Sequence, residues 1–183
     1  MSFRYHGAEE YAIENISFEA KPGQVLFTGT IKDNIEFGSD GYSDEKIQKA
    51  IATAQAKEFV EQMEKGLDSE ITQGGTNVSG GQKQRLSIAR ALAKEPEIYI
   101  FDDSFSALDF KTDAKLRKAL EKETKEGTVL IVAQRITTVM NADQILVLDN
   151  GKIAARGTHS ELLNSSDVYR EIVYSQMSEE EIS

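Results

Sequence analysis

The chain has 183 residues, 39% hydrophobic and 28% charged, which is enough for one domain with a real core and too apolar for a disordered polymer. With 21 Lys and Arg against 31 Asp and Glu, the formal net charge is −10, which argues against a nucleic-acid backbone as the main partner because such binding needs a basic face. Cysteine is absent, so disulfides and thiolate metal sites are excluded, and no apolar run approaches the roughly 18 residues that cross a bilayer.

Residues 1–20 alternate in strand fashion, with Ile13, Ile16 and Phe18 among the apolar positions, and Lys21-Pro22-Gly23-Gln24 reads as a turn. A helix is predicted from Ser43. That serine can cap it, Asp44 and Glu45 suit its first turn, and Ile47, Ala50, Ile51 and Ala54 recur at helical spacing. Gly74, Gly75, Gly80 and Gly81 fall close together ahead of a second helix, which runs to about Ala93 and is stopped by Pro96. Ile98-Tyr99-Ile100-Phe101, closed by Asp102 and Asp103, predicts a buried parallel strand.

A third helix fits Lys111 to about Lys125, burying Leu116, Ala119 and Leu120, and Thr128–Val132 predicts a second buried strand. Residues 145–148 and 152–155 flank Asn150-Gly151, a strong two-residue hairpin signal. Residues 158–176 read as one or two closing helices, and 178–183 as a frayed acidic tail. Strands alternating with helices put the body in the α/β class, and there is no internal repeat.

The most specific string is Val78-Ser79-Gly80-Gly81-Gln82 running into Lys83-Gln84-Arg85-Leu86-Ser87-Ile88-Ala89-Arg90. Two glycines leave backbone N–H groups accessible, Ser79 adds a hydroxyl, and the following helix aims its positive end at them. Together they suit a terminal phosphate. Ser-Gly-Gly alone also describes an ordinary glycine-rich helix entry. The whole of residues 78–90 resembles the signature motif and helix of the ABC transporter ATP-binding domain, which usually carries Leu where this chain has Val78.

The resemblance continues in order along the chain. Ile98–Asp102 with Asp103 looks like a Walker B strand, in which a carboxylate, here Asp102, holds Mg²⁺ through water. Ser106-Ala107-Leu108-Asp109 matches the D-loop, placing Ser106 and Asp109 beside nucleotide. Val132-Ala133-Gln134-Arg135 sits where the family carries its switch histidine. Residues 26–35 resemble the stretch just after the Q-loop in exporters, and residues 157–163 a segment common near the family's C-terminus. Tyr5 lies where an aromatic residue usually stacks on adenine, although such a residue is more often a surface strand aromatic.

What the resemblance implies is a P-loop NTPase-like α/β fold, a parallel sheet core with a helical subdomain. It divides into N-terminal strands over 1–24, the helical subdomain and signature over 25–95, the Walker B, D-loop and switch core over 96–157, and C-terminal helices and tail over 158–183. It also implies ATP and Mg²⁺ as ligands, a second nucleotide-binding domain and transmembrane domains as partners, no nucleic acid, and a place on the cytoplasmic face of the cell membrane.

Three departures bear on mechanism. The Walker A string G-x-x-x-x-G-K-[ST] is absent: the one Gly-Lys pair, Gly151-Lys152, is followed by Ile153 inside the predicted hairpin. In the family a segment beginning like Lys21-Pro22-Gly23-Gln24 leads into a strand, the P-loop and further strands. Here Gln24 abuts Val25 and Leu26, so the chain reads as a nucleotide-binding domain with an internal deletion at about residues 24–26. Asp103 stands where the family places its catalytic glutamate, one methylene longer, though it also reads as a second acid at a strand end. Gln134 replaces the switch histidine, and an amide can hydrogen-bond a γ-phosphate but cannot carry charge or relay a proton.

The pair Asp103 and Gln134 with an intact Ser79, Gly80, Gly81 and Gln82 resembles the degenerate half of a heterodimeric exporter, which still serves its partner's site. Two other readings compete. One is a non-catalytic deletion remnant or interaction module. The other is the ATPase head of a DNA-maintenance protein, disfavoured by the acidic balance and by the absence of a long coiled coil.

Overall fold

Asn34 organises the start of the chain in a computed structural model that describes residues 26–177. Its side chain is 2% exposed. It donates to the carbonyls of Phe27 (2.8 Å) and Thr30 (3.0 Å) and accepts from the Phe27 N–H (2.8 Å). This folds residues 27–30 back onto a short strand, β1 (Gly29–Thr30), and a one-and-a-half-turn helix, α1 (Ile31–Glu36). Thr30 and Asp33 form a reciprocal capping box, Thr30 N–H to Asp33 at 2.8 Å and Asp33 N–H to the Thr30 hydroxyl at 2.9 Å. The sequence reading assigns no helix here, because it weighs apolar periodicity and α1 is too short to show any. The expected strands and turn of residues 1–24, together with Tyr5 and the tail 178–183, lie outside the described residues.

Ser43 caps α2 (Asp44–Thr53), as predicted, and Gln55 at φ 56° turns the chain into α3 (Lys57–Gln62). β2 (Glu70–Ile71) pairs antiparallel with β1, and α4 (Gly80–Ala93) follows. Ile31, Ile35, Ile47, Ile51, Leu86 and Ile88 join one core, with none more than 2% exposed. Arg90 pins α4 to α1: it donates to the Asn34 carbonyl (2.6 Å) and the Asn34 amide oxygen (2.8 Å) while lying over the stacked rings of Phe27 and Phe37.

β3 (Ile98–Asp102) and β4 (Thr128–Val132) pair parallel in the register Ile100↔Leu130, with α5 (Phe110–Glu123) as the crossover. The expectation of buried strands needs correction. Tyr99 and Phe101 point into the core. Ile98, Ile100, Leu130 and Val132 line the opposite face at 36%, 57%, 43% and 50% exposure. Parallel strands are ordinarily covered on both faces; among the described residues nothing covers this one.

The second half carries α6 (Ile136–Val139), the hairpin β5 (Ile145–Asp149) and β6 (Lys152–Gly157), and the closing helices α7 (His159–Ser165) and α8 (Asp167–Tyr174). The hairpin turns at Asn150 and Gly151, φ 47° and 74°, the left-handed pair that a tight two-residue loop requires. Ile136, Ile145, Leu162, Tyr169 and Val173 form a separate core. Arg117 on α5 joins the halves by donating to the Thr137 carbonyl, while an ion pair with buried Asp113 one turn earlier on the same helix (2.8 Å) holds its side chain. No helix among the described residues is long and apolar enough to cross a membrane.

The uncovered sheet face gives a direct expectation. Ile100→Thr with Leu130→Thr removes half-exposed apolar surface and keeps residues that suit strands. The wild-type chain should elute as larger species with rising concentration, and the double variant should shift towards the monomer. Identical elution would show that this face does not drive association.

Candidate functional site

The site grows from the start of α4. Ser79 takes the extended conformation of an N-cap, and its hydroxyl accepts from the Gln82 N–H (3.2 Å) while the Gln82 side chain accepts from the Ser79 N–H (2.8 Å). The reciprocal box consumes these two donors. The N–H groups of Gly80 and Gly81, in the first helical turn, point out of the helix end with no partner further up the helix. Ser79 and Gly80 are exposed, so a 14-residue helix presents its positive end to its surroundings through a serine and two glycines.

Gly81 faces the other way. A Cβ built on it would lie 2.9 Å from the Ala107 carbonyl oxygen, whereas one on Gly80 would meet the Ala107 Cβ at an ordinary 3.5 Å. Space for a ligand is therefore not the sole reason for glycine at 81: the loop of residues 103–109 packs directly on the backbone there.

That loop is held by Gln84, one helical turn beyond Gly80. Its amide nitrogen donates to the Asp103 carbonyl (3.2 Å) and the Ser106 hydroxyl (3.1 Å), and its oxygen accepts from the Ala107 N–H (3.0 Å). Arg85 anchors the helix on its far side, donating to the carbonyls of Gly81 (3.2 Å) and Gln55 (2.7 Å) and lying over Phe59. Burial lowers its pKa, while the carboxylates of Asp109 and Glu58 act in the opposite direction.

Asp102 ends β3 with its carboxylate exposed. Asp103 bends away at φ 46°, its N–H donating to the Val132 carbonyl at 3.0 Å. This bond sets Asp103 at the mouth of the loop that carries Gln134, whose side chain is exposed. Arg135 closes the ring by donating to the Ser106 carbonyl (3.1 Å) and stacking over Phe110. Asp109 caps α5, accepting from the Thr112 N–H (3.0 Å) and hydroxyl (2.7 Å), and the backbone bond from Thr112 lowers its pKa.

The start of α4 with Ser79, Gly80, Gly81 and Gln82, the end of β3 with Asp102, and the loops of Asp103, Ser106, Asp109 and Gln134 are thus joined by one set of hydrogen bonds. Tyr5 is outside the described residues. The sequence reading missed Gln84, Arg85 and Arg135 as architectural residues. Gln84 and Arg85 lie inside the thirteen-residue string, and i+4 spacing from Gly80 and Gly81 was the available signal. No group of three or more His, Asp or Glu among the described residues is arranged to hold a metal ion. A cation near Asp102 would be held through water, with a nucleotide's phosphates and further waters as its ligands.

The chain as a whole is similar to known proteins. A family profile described as ABC transporter matches residues 14–106. The uncharacterized ABC transporter ATP-binding protein YfiB of Bacillus subtilis (strain 168) is 49% identical over 156 residues, 85% of this chain and 27% of YfiB. The ATP-dependent lipid A-core flippase of Pasteurella multocida (strain Pm70) is 46% identical over 153 residues, 83% of this chain and 26% of the flippase. A solved bacterial Atm1-family ABC exporter with ATP bound matches with a TM-score of 0.82 at 36% identity, covering 87% of this chain and 28% of that one. The chain spans about a quarter of the length of these relatives.

Two stability predictions follow from the loop packing. Gly81→Ala should lower the urea midpoint by an amount equivalent to about 1–3 kcal/mol, because a backbone oxygen cannot move aside. Gly80→Ala should be neutral or stabilising by up to about 1 kcal/mol, as expected for helical glycine. Equal effects at the two positions would contradict the packing. For Asp109, a carboxyl held below its ordinary 3.8 contributes stability above that value and loses it as pH falls through the lowered one. Between pH 5 and pH 3 the wild type should lose more stability than Asp109→Asn, which keeps a cap but not the charge.

Proposed function

This chain belongs to the ABC transporter family, and on that premise we propose that it is the ATP-binding part of an exporter which lends its signature edge to ATP held by a partner domain. The observation that carries this reading is the exposed Ser79–Gly80 tip of α4, locked by Gln84 to the loop of Ser106 and Asp109. Two backbone N–H groups, a hydroxyl and the positive end of a helix form a rigid donor array for the oxygens of a terminal phosphate. The phosphate itself must come from elsewhere, because the chain carries no G-x-x-x-x-G-K-[ST] string to hold its own nucleotide.

In this reading Asp102 holds Mg²⁺ through water, Asp103 is a shortened counterpart of the water-positioning carboxylate, and Gln134 contacts a γ-phosphate without carrying charge. The chain is the hydrolysis-poor half of a heterodimer, working with transmembrane domains at the cytoplasmic face of the cell membrane. A second reading, a non-catalytic deletion remnant or interaction module, is favoured by the uncovered face of β3 and β4, the surface a missing sheet segment would leave.

The purified 183-residue chain should show no steady-state ATP turnover. Turnover that Asp102→Ala abolishes would overturn the assignment. If the altered pair sets the weakness, Asp103→Glu with Gln134→His should raise turnover only in a version that regains a Walker A segment between Gln24 and Val25. The gain should need both changes, since groups acting as a unit are not additive. An unchanged rate in that version, with an intact partner signature, would show that the defect lies elsewhere.

A further inference from the structure

The loop between β4 and α6 carries Gln134 and Arg135, yet residues 133–135 belong to no strand or helix. What holds them comes from the end of the chain. The Gln176 side chain, just past α8, donates its amide nitrogen to the Gln134 carbonyl at 2.8 Å. Its amide oxygen accepts from the Ile136 N–H at 2.9 Å. A primary amide has one donor edge and one acceptor edge, and here both are spent on backbone groups two residues apart, as a neighbouring strand would spend them.

Gln176 is itself well placed to hold something. Its N–H and that of Met177 both donate to the Val173 carbonyl at 3.0 Å, closing the end of α8. Val173 and Tyr169 on that helix are 0% and 1% exposed, and they share a core with Ile136, the residue whose N–H Gln176 accepts. Opposite, Arg135 reaches the Ser106 carbonyl and Arg117 reaches the Thr137 carbonyl. The loop is thus fixed from two sides, by the loop of residues 103–109 and α5 on one and by a single side chain just past α8 on the other.

We propose that Gln176 is a positioning residue: it latches the loop of Gln134 and Arg135 to α8, so the seating of the C-terminal helix sets where those two side chains stand. Its functional consequence rests on the reading of Gln134 as phosphate-facing. The latch itself does not, and it can be measured without nucleotide.

The test is amide hydrogen exchange on the 183-residue chain, comparing Gln176→Ala, Gln176→Asn and Gln176→Glu with wild type. Losing two hydrogen bonds should speed exchange at Ile136 about tenfold in the alanine variant. Asparagine, one methylene shorter, should behave like alanine. Glutamate keeps the acceptor for the Ile136 N–H but sets its second oxygen against the Gln134 carbonyl, so it should recover part of the protection at Ile136 and exchange more slowly there than alanine or asparagine. Leu86 and Ile88 in α4 should exchange as in wild type throughout.

Unchanged exchange at Ile136 in Gln176→Ala would overturn the latch. So would a rise spread evenly over α7 and α8 that glutamate does not lessen, because that is loosened packing rather than a lost clamp. If the alanine variant does not fold, the glutamate and asparagine pair carries the same test, and equal exchange in the two would contradict the proposal. A latch that passes while Gln134 proves unimportant to nucleotide would leave this inference standing and remove the functional reading alone.

Discussion

The architecture of the site depends on one side chain, that of Gln84. Helix α4 is rigid because its buried face carries Leu86, Ile88, Ala89, Leu92 and Ala93. The loop after β3 has no regular hydrogen-bond ladder of its own. Gln84 supplies three bonds across the gap, to Asp103, Ser106 and Ala107, and Gly81 admits the close approach they require. Through them the exposed helix tip, the loop acids and the Arg135 contact are tied together. A preorganised donor array of this kind does not have to reorganise when a charged ligand arrives.

The same body is complete on one side only. The edge made of Ser79, Gly80 and the loop at Ser106 is finished by hydrogen bonds within the chain. The β3–β4 sheet behind it exposes Ile98, Ile100, Leu130 and Val132. In the proposed reading, the chain offers hydrogen-bond donors to a partner's phosphate and carries no G-x-x-x-x-G-K-[ST] string of its own, a pairing that supports a role in trans. In the proposed reading, this exposed face is the surface that a segment carrying a Walker A string would cover.

Much of this was legible in the sequence because the signals were local. Ser43, the periodic Ile47, Ala50 and Ile51, and the Asn150-Gly151 turn each act over a few residues, and α2 and the β5–β6 hairpin stand where they point. The short α1 was missed because its stability comes from the Thr30–Asp33 box and from Asn34 and Arg90, bonds that span up to 56 residues. The burial of β3 and β4 was misjudged for a related reason. An apolar run reports what a strand could bury, not whether anything in the chain is there to cover it. Gln84 and Arg135 were illegible as clamps, since polar side chains reveal their partners only after the loops meet.

The central claim is that the Ser79 tip completes a nucleotide site carried by another chain. It is tested most directly by sedimentation of this chain with its own partner half, the partner carrying an intact Walker A and a hydrolysis-blocking glutamine after its Walker B strand. The account predicts a complex that forms with MgATP, is absent without it, and is lost in Ser79→Arg while the variant's own melting curve stays unchanged. A complex indifferent to ATP, or one that Ser79→Arg leaves intact, would contradict it.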